Sequence, residues 1–412
     1  MTPDLLTRLM RDGYHAILDD RRARGGTGDR HLTRLLGRQT LVVRGRAGAR
    51  MFYDDDLVQR RGAVPPPLGW LLFGRGAIHS LDGSAHRERK AMFLDLLAPS
   101  RVEELVTLVD RRLGERLDRY DAGDRLTVFD ALVEVYGECV LEWVGVDCST
   151  EDAHRLAHEL AALIDGFGGA GAAYPRAWLA RRRTQRVAQH LVRTVRDSPA
   201  SADPDRPLAM IAVGPGRDLT PHAAAVELLN LVRPTVAVAW LSTLAALALD
   251  AHPTWRARLA PREADRERIA FAHEVRRLYP FVPALAGRLK ADMSHHGRVV
   301  RAGRRLLLDV RGTHVDAAVW PDPETFAPER FLEHDPGAYD LLAQGGGEVT
   351  TGHRCPGEPL TVRLMAVTLR HLARVDHEVV SSPDYDERRI PTLPRDGLRV
   401  EMGDSAGVGQ PV

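Results

Sequence analysis

One cysteine stands in a setting that would make its sulfur reactive. Cys355 follows a glycine-rich loop in the segment QGGGEVTTGHRCPGEPLTVRLMAVTLRHL and comes directly before a run with a strongly helical pattern. A helix N-terminus, together with Arg354 and His353, would stabilise a thiolate at this position. Such a thiolate could act as a nucleophile or bind a soft metal centre. The alternative is a structural cysteine in a loop, and the segment alone favours neither.

A buried charge is predicted in the most apolar part of the chain. Arg233 and Pro234 stand side by side within ELLNLVRPTVAVAWLSTLAALALD, residues 227–250. A buried guanidinium without a partner costs several kcal/mol, so Arg233 needs an anion. A buried acid such as Glu227 is the simplest internal candidate. Pro234 removes one hydrogen bond from the helix and is expected to kink it.

Two further motifs precede the cysteine. The segment HEVRRLYPFVPALAGRLK places Glu274 and Arg277 three residues apart, and therefore on one face of a helix. The segment WPDPETFAPERF, residues 320–331, follows and contains Arg330. An E-x-x-R pair alone is common and is usually a surface contact. In this order, and followed by a glycine-rich loop with C-x-G, the set of motifs is highly specific.

On these motifs the chain resembles the cytochrome P450 family, the haem-thiolate enzymes, over essentially its whole length. The resemblance implies a mainly α fold with a small β region, in which a triangular prism of helices surrounds a buried haem. Cys355 would be the thiolate ligand of the iron in haem b, where it donates electron density and favours O–O cleavage. Glu274, Arg277 and Arg330 would form a charge triad that braces the proximal side without taking part in catalysis.

Two departures from the usual family pattern point to one branch. The helix above the haem normally carries an acid and an alcohol that deliver protons to oxygen, and here Arg233 and Pro234 stand in their place. The loop before the cysteine contains Glu348 and the triple glycine Gly345–Gly347. With LFGRGAIHSLDGSAHRERKAMF at 72–93, these features resemble the fatty-acid peroxygenase branch, which uses hydrogen peroxide directly. No obligatory redox partner is then expected.

The resemblance gives Arg233 and Pro234 catalytic roles. Arg233 would hold a substrate carboxylate through two hydrogen bonds, and Pro234 would leave room above the iron. The bound carboxylate would replace the missing acid–base group by moving a proton between the oxygen atoms of peroxide. The implied substrate is a long-chain fatty acid, hydroxylated at its α or β carbon or decarboxylated to a terminal alkene.

His79, in the segment GAIHS, is the third residue with an implied catalytic role. A lone histidine is by default a hydrogen-bonded core residue. By resemblance, His79 lies beside the haem and faces the α and β carbons of the substrate, where its ring could donate a proton or a hydrogen bond. Histidine at this position favours the alkene product only weakly.

The remaining implied site residues bind the cofactor or the acyl chain. His86 and Lys90 share a helix face at i, i+4 after an N-cap-like DGS. Read by themselves they are a solvated surface pair, but by resemblance they bind the haem propionates, as do Arg60 and Arg288. The acyl channel would be lined by four residues that could equally be ordinary core: Phe73, Phe167, Phe281 and Val282.

Three other interpretations stay open from the sequence. The first is a P450 monooxygenase that depends on a reductase and acts on a carboxylate-bearing secondary metabolite. The second is a haem-binding protein or sensor without enzymatic activity. The third is a hydrolase that uses Cys355 as nucleophile with a neighbouring histidine, and it would bind no haem.

Composition excludes several classes of protein. The chain has 412 residues, of which 44% are hydrophobic and 27% charged, with a formal net charge of +1, as expected for a soluble globular protein that does not bind nucleic acid. Three cysteines without C-x-x-C spacing support neither a disulfide framework nor a zinc site. The run Arg181–Arg183 is interpreted as a solvated helix face. The resemblance favours a single domain over residues 1–412 with a disordered tail from about 403.

Helical periodicity dominates the elements that must position these residues. Helices are predicted over 102–118, 125–145, 151–165, 175–196, 221–250, 263–279 and 359–374. Strands are predicted within 40–54 and 297–310, and loops at 64–69, 198–207 and 320–331. The apolar stretch 231–249 is interpreted as a core helix because it contains Arg233 and Pro234. The N-terminus lacks an apolar signal core, which favours a cytoplasmic protein.

Overall fold

The computed structural model of the protein describes residues 3–26, 28–168, 173–279 and 281–403. The fold is predominantly helical. Its α-helices are α1 (Leu5–Asp12), α2 (Ala16–Ala23), α3 (Gly45–Phe52), α4 (Pro66–Leu72), α5 (Gly83–Leu96), α6 (Pro99–Leu117), α7 (Val128–Val144), α8 (Thr150–Asp165), α9 (Ala173–Asp197), α10 (Pro207–Ala212), α11 (Pro221–Ala251), α12 (Thr254–Leu259), α13 (Asp265–Leu278), α14 (Val310–His314), α15 (Arg330–Glu333) and α16 (Glu358–Arg374).

The strands are short and form a minor part of the fold. They are β1 (Arg30–Leu35), β2 (Arg38–Val43), β3 (Val58–Gln59), β4 (Arg125–Thr127), β5 (Ala284–Leu289), β6 (Met293–His295), β7 (Arg298–Val300), β8 (Arg305–Asp309), β9 (His377–Val379) and β10 (Arg399–Met402). A five-stranded sheet has the order β1-β2-β8-β5-β3, and only its β2–β8 pair is parallel. A three-stranded sheet has the order β4-β10-β9, and β6 pairs with β7. The expected mainly α fold with a small β region is confirmed.

The predicted helices are confirmed as α6, α7, α8, α9, α11, α13 and α16. Each has apolar residues recurring every three or four positions, and that spacing is what made it recognisable. One boundary differs, because residues 125–127, which were predicted to be helical, form strand β4 and pair with β10.

Two local predictions were partly wrong. The predicted strand over 40–54 ends at Val43, because Gly45 takes a φ of 69° and turns the chain into α3. The predicted loop at 64–69 becomes helical from Pro66, which occupies the first turn of α4, where a proline costs no hydrogen bond. The stretch 297–310 contains β7 and β8, as predicted.

Helix α11 passes through the middle of the core. Thr220 caps it by accepting a hydrogen bond from the N–H of Ala223 at 3.2 Å, and the helix continues without interruption through Pro234. It packs against α7, α9 and α16. It is long and apolar enough to span a membrane, with mean hydropathy 1.5, but 89% of its most apolar window is buried inside the protein. A core helix is therefore confirmed.

Two expectations are left as predictions. The single domain over residues 1–412 is one of them. The disordered tail from about 403 falls on residues 404–412, which lie outside the described part of the chain.

Candidate active site

Cys355 lies between a tight glycine loop and the start of α16. Its N–H donates to the carbonyl of Gln344 at 2.9 Å. The loop turns through Gly345 and Gly347, with φ of 93° and 77°, while a Cβ added to Gly346 would lie 2.7 Å from the carbonyl oxygen of Ala338. The triple glycine is therefore required by the loop conformation that presents the sulfur.

The charges near the sulfur differ in part from those expected. Burial raises the pKa of the Cys355 thiol, and the N–H of Gly357 with Lys90 and Arg276 opposes that rise. Arg354 was expected to help, but its Nε donates to Glu358 at 2.7 Å. The cations that favour a thiolate are thus Lys90 and Arg276.

Arg276 is a functional residue that the sequence interpretation missed. It is fully buried, its Nε donates to Oε1 of Gln344 at 2.8 Å, and its Nη2 pairs with Glu358. The backbone carbonyl of Gln344 in turn accepts a hydrogen bond from the N–H of Cys355. Arg276 therefore braces the cysteine loop against α13. The only signal for it in the sequence was its place beside Arg277.

The proximal charge triad forms as predicted. Arg277 binds Glu274 through two hydrogen bonds, Nε to Oε2 at 2.7 Å and Nη2 to Oε1 at 2.8 Å, and both side chains are fully buried. Arg330 approaches the same carboxylate, with its Nε 3.3 Å from Oε1. The N–H of Ala327 also donates to Glu274 at 2.7 Å. The triad thus fixes the 320–331 segment on α13.

Helix α5 and the β3–β5 edge hold the residues expected to bind propionates. Lys90 donates to the carbonyls of Gly352, at 3.0 Å, and Arg354, and burial lowers its pKa to about 8. The ring of His86 stacks on that of His353 with centroids 3.9 Å apart. Burial first, then Arg60, His86 and Lys90, lowers the pKa of His353 to about 2. These groups therefore surround one space beside the cysteine loop.

Arg60 and Arg288 carry donors that an anion would satisfy. Asp82 accepts the backbone N–H of Arg60 at 2.7 Å and so fixes that residue against the start of α5. Strand pairing sets Gln59 opposite Arg288. Within the described residues, Nη1 of Arg60 and Nε of Arg288 are buried and have no hydrogen-bond partner. These two unsatisfied cationic donors, one directly after β3 and one on its partner β5, fit the carboxylates of a haem b bound through Cys355.

Arg233 is buried, and no acidic side chain among the described residues pairs with it. Only 5% of it is exposed, its Nη2 donates to Oδ1 of Asn230 at 3.1 Å, and its Nε has no partner in the described part of the chain. Burial, and then repulsion by Arg181, lowers its pKa to about 9, so it stays a cation at neutral pH. The internal salt bridge to Glu227 does not form, because Glu227 pairs with Arg89.

His79 lies in a short 3-10 turn, Ile78–Ser80, opposite Phe73. The two rings stack with centroids 4.2 Å apart, and the ring of Phe73 lies 5.8 Å from Cζ of Arg233. The His79 side chain has accessible surface, and yet burial lowers its pKa to about 3. We infer that it faces an internal space rather than bulk solvent. A neutral ring favours hydrogen bonding over proton donation at neutral pH.

The residues predicted to line the acyl channel are only partly brought together. Phe73 and Phe167 approach each other with centroids 6.5 Å apart. Phe281 lies against Trp240 of α11 at 6.3 Å, and its carbonyl accepts a hydrogen bond from Tyr14 at 2.9 Å. Val282 is half-buried. Phe73 therefore adjoins both Arg233 and Phe167, while Phe281 packs against α11 at Trp240, seven residues after Arg233.

Arg181 is a second buried cation that was wrongly predicted to be solvated. Its neighbours Arg182 and Arg183 are exposed, but Arg181 is 5% exposed because it lies on the inward face of α9. Its Nη2 donates to Gln185 at 2.5 Å, and within the described residues its Nη1 has no partner. Burial lowers its pKa to about 10. The 3.6-residue period of the helix was the signal that could have identified it.

Comparisons with known proteins agree with this geometry. A family model described as "Cytochrome P450" matches residues 269–382. A putative cytochrome P450 138 of Mycobacterium tuberculosis is 24% identical over 395 residues, which cover 89% of this chain and 87% of that protein.

Solved structures match over almost the whole chain. Cytochrome P450SP alpha in complex with (R)-ibuprophen has a TM-score of 0.90 and 34% identity, covering 97% of this chain and 98% of that chain. A variant of cytochrome P450 OleT in complex with arachidonic acid has a TM-score of 0.90 and 31% identity, covering 97% and 96%. Cytochrome P450EX alpha with myristic acid has a TM-score of 0.88 and 29% identity, with the same coverage.

Proposed function

Because the chain belongs to the cytochrome P450 family and to its fatty-acid peroxygenase branch, we propose that it oxidises fatty acids with hydrogen peroxide. The products are the 2- or 3-hydroxy acid and water, and a terminal alkene where the acid is decarboxylated instead. The observation that supports this most directly is Arg233, a buried guanidinium that pairs with no carboxylate among the described residues. Two similar structures hold fatty acids, arachidonic acid and myristic acid.

Arg233 binds the headgroup in this proposal. One of its donors is used by Asn230, whereas its Nε and its remaining N–H groups are available to a carboxylate. A bidentate pair fixes both the position and the plane of the carboxylate. The adjoining rings of Phe73 and Phe167 offer an apolar surface to the carbons that follow.

Haem b, held through Cys355 and at its propionates by Lys90, His86, Arg60 and Arg288, supplies the oxidising chemistry when it is bound. The protein contributes Arg233, which holds the substrate carboxylate that transfers the proton. The carboxylate on Arg233 takes a proton from one oxygen of hydrogen peroxide and returns it to the other, which leaves as water when the O–O bond breaks.

Pro234 and His79 shape the same space. Pro234 has no N–H, so it removes one hydrogen bond from α11, and in this proposal it leaves room above the haem iron beside Arg233. Burial lowers the pKa of His79 to about 3, so its ring is neutral at physiological pH and can donate one hydrogen bond to an oxygen atom of the substrate or of peroxide. A cytoplasmic location is part of the same proposal, since the one long apolar helix is buried in the core.

The test is a product analysis without any reductase. Purified protein reconstituted with haem is mixed with hydrogen peroxide and fatty acids of different lengths, and the products are identified by mass spectrometry. We expect 2- or 3-hydroxy acids or terminal alkenes. Turnover that requires NADPH and redox proteins, and is absent with peroxide, would instead establish the reductase-dependent monooxygenase.

A further inference from the structure

We propose that Asn230 is a positioning residue, which keeps Arg233 open for the substrate by separating it from Glu227. Residues 227, 230 and 233 follow one another at i, i+3 spacing on α11, so Asn230 can contact both of the other two. Asn230 thus lies between a buried acid and a buried base that are less than two helical turns apart. The inference rests on the proposed function only in that the anion for Arg233 is a carboxylate brought by the substrate.

The contacts of Asn230 fix the orientation of its amide. Its Nδ2 donates to two acceptors, the carbonyl of Phe73 at 3.1 Å and Oε2 of Glu227 at 3.0 Å. A carbonyl and a carboxylate can only accept, so Nδ2 must face them and Oδ1 must face the other way. Oδ1 then accepts from Nη2 of Arg233 at 3.1 Å. The arginine is thereby held by a neutral oxygen rather than a charged one.

The carboxylate of Glu227 is itself fully satisfied. It is completely buried, its charge is balanced by Arg89, and it also accepts the N–H of Ile78 at 3.0 Å. Burial raises its pKa, while Asn230, Arg89 and the N–H of Ile78 oppose the rise. The charge of Glu227 is therefore already balanced without Arg233, and Oε2 of Glu227 is hydrogen-bonded to Asn230.

The same arrangement links both sides of the substrate space. Glu227 holds the backbone of Ile78, the residue directly before His79. Through Asn230 it also holds the carbonyl of Phe73, whose ring stacks on His79, and the guanidinium of Arg233. One buried carboxylate and one amide thus set the distance between the headgroup site and the ring opposite it.

The test compares the affinity of the holoenzyme for a fatty acid with its affinity for the methyl ester, by isothermal titration calorimetry. In Asn230→Asp, a carboxylate of the same shape would replace Oδ1 and neutralise Arg233 internally. We expect the preference for acid over ester to fall roughly 10- to 100-fold, the value of one charge-assisted interaction. Asn230→Leu removes the hydrogen bond to Arg233 without adding an anion. The preference for acid over ester should therefore fall less than in Asn230→Asp, while the affinity for the ester stays as in wild type.

Thr243→Val is the matched control, because Thr243 is also buried on α11 and its Oγ1 bonds only to the carbonyl of Ala239 at 2.7 Å. If both Asn230 variants keep the wild-type preference, or lose acid and ester affinity equally, the inference is wrong. If Asn230→Asp does not fold, Asn230→Leu decides alone. A wild-type protein without any preference for the acid would contradict the proposed function instead, so the two failures can be told apart.

Discussion

At the scale of single residues, charge without a partner identifies the site better than residue type does. Arginine is abundant in this chain, and most arginines form surface ion pairs or are exposed. Arg233 differs because it is 5% exposed and bonds, among the described residues, only to a neutral amide. An anion that binds to Arg233 offsets the energetic cost of burying its charge. Binding of an acidic substrate would therefore also neutralise the buried guanidinium.

Replacing Arg233 should therefore abolish selective binding of acids. In Arg233→Ala we expect kcat/KM with peroxide and a fatty acid to fall about 100-fold or more, because a buried charged pair is lost. Arg233→Lys should be intermediate, since lysine keeps the charge but not the bidentate geometry. Steady-state kinetics measure both. Arg182→Ala, an exposed arginine of α9, serves as the control, and full activity in Arg233→Ala would disprove the assigned role.

The charge state of Arg233 also predicts a pH dependence of binding. Its pKa is lowered to about 9, so the guanidinium is fully protonated at neutral pH and loses its proton as the pH rises through that value. Affinity for the fatty acid should accordingly weaken above about pH 9, while affinity for the methyl ester should not change. Calorimetric titration at several pH values would show it, and parallel curves for acid and ester would contradict it.

At the scale of elements, helix faces decide which residues of a run act inside the protein. The three arginines Arg181–Arg183 are chemically identical, yet only the first points inward from α9. A Cβ added to Gly74, the residue after Phe73, would lie 2.4 Å from Nη2 of Arg181. The side chain of Arg181 thus lies against the backbone of the segment that carries Phe73, where its charge repels that of Arg233.

Removing this second cation should have two opposite effects. Arg181→Met should raise the free energy of unfolding by about 1 to 3 kcal/mol, because an unsatisfied buried donor is eliminated. It should also weaken fatty-acid affinity, since the positive potential around Arg233 falls. Urea denaturation and calorimetry measure the two effects. Arg182→Met is the matched control and should change neither the free energy of unfolding nor the affinity. If Arg181→Met is less stable than wild type, the guanidinium of Arg181 has a structural partner and the prediction is wrong.

The cysteine loop offers a test of backbone shape. A Cβ at Gly346 would approach the carbonyl of Ala338 to 2.7 Å and Leu342 to 2.8 Å, so Gly346→Ala should displace the loop. We expect a lower ratio of haem to protein after purification, seen in the absorbance at the Soret band. In Gly69→Ala the added Cβ would meet only ordinary contacts at 3.7 Å, and occupancy should stay unchanged. Normal haem content in Gly346→Ala would contradict the role given to this glycine.

At the scale of the whole molecule, several histidines are buried in the neutral form. His314 shows why: its Nδ1 donates to the carbonyl of Arg277 at 2.9 Å, and its Nε2 accepts the N–H of Leu342 at 2.8 Å. Protonation would remove that acceptor, and burial lowers the pKa of His314 to about 3. The pKa of His273 is likewise lowered to about 3. The native fold thus opposes the charging of these rings.

Stability should therefore fall in mild acid. The unfolded chain binds protons at these histidines near the ordinary pKa of 6.5, whereas the folded chain does not until about 3, so unfolding takes up protons between those values. As the pH decreases through that window, each such histidine lowers the free energy of unfolding by up to about 1.4 kcal/mol per pH unit. Denaturant unfolding at several pH values measures this dependence. In His314→Asn the free energy of unfolding should fall less steeply with decreasing pH than in wild type. His190→Asn, at an exposed position, should match wild type.

The sequence by itself determined the chemistry and the helices. The motifs around Glu274, Arg330 and Cys355 are short and lie in fixed order, so the family and the haem ligand could be predicted from them. Helical periodicity located α6, α7, α8, α9, α11, α13 and α16 because buried faces repeat every three to four residues. The strand predicted over 40–54 failed in its second half, where a left-handed glycine redirects the chain.

Only the tertiary structure decided which charges are satisfied. Glu227 could have neutralised Arg233 six residues away, but it pairs with Arg89, 138 positions distant in the chain, and the amide of Asn230 separates it from Arg233. For the same reason, the ion pair of Arg276 with Glu358 was not predicted, nor was the donor of Arg181 that has no partner among the described residues. Whether a buried charged side chain is paired or left open depends on partners that folding brings together, and local spacing carries no information about those partners.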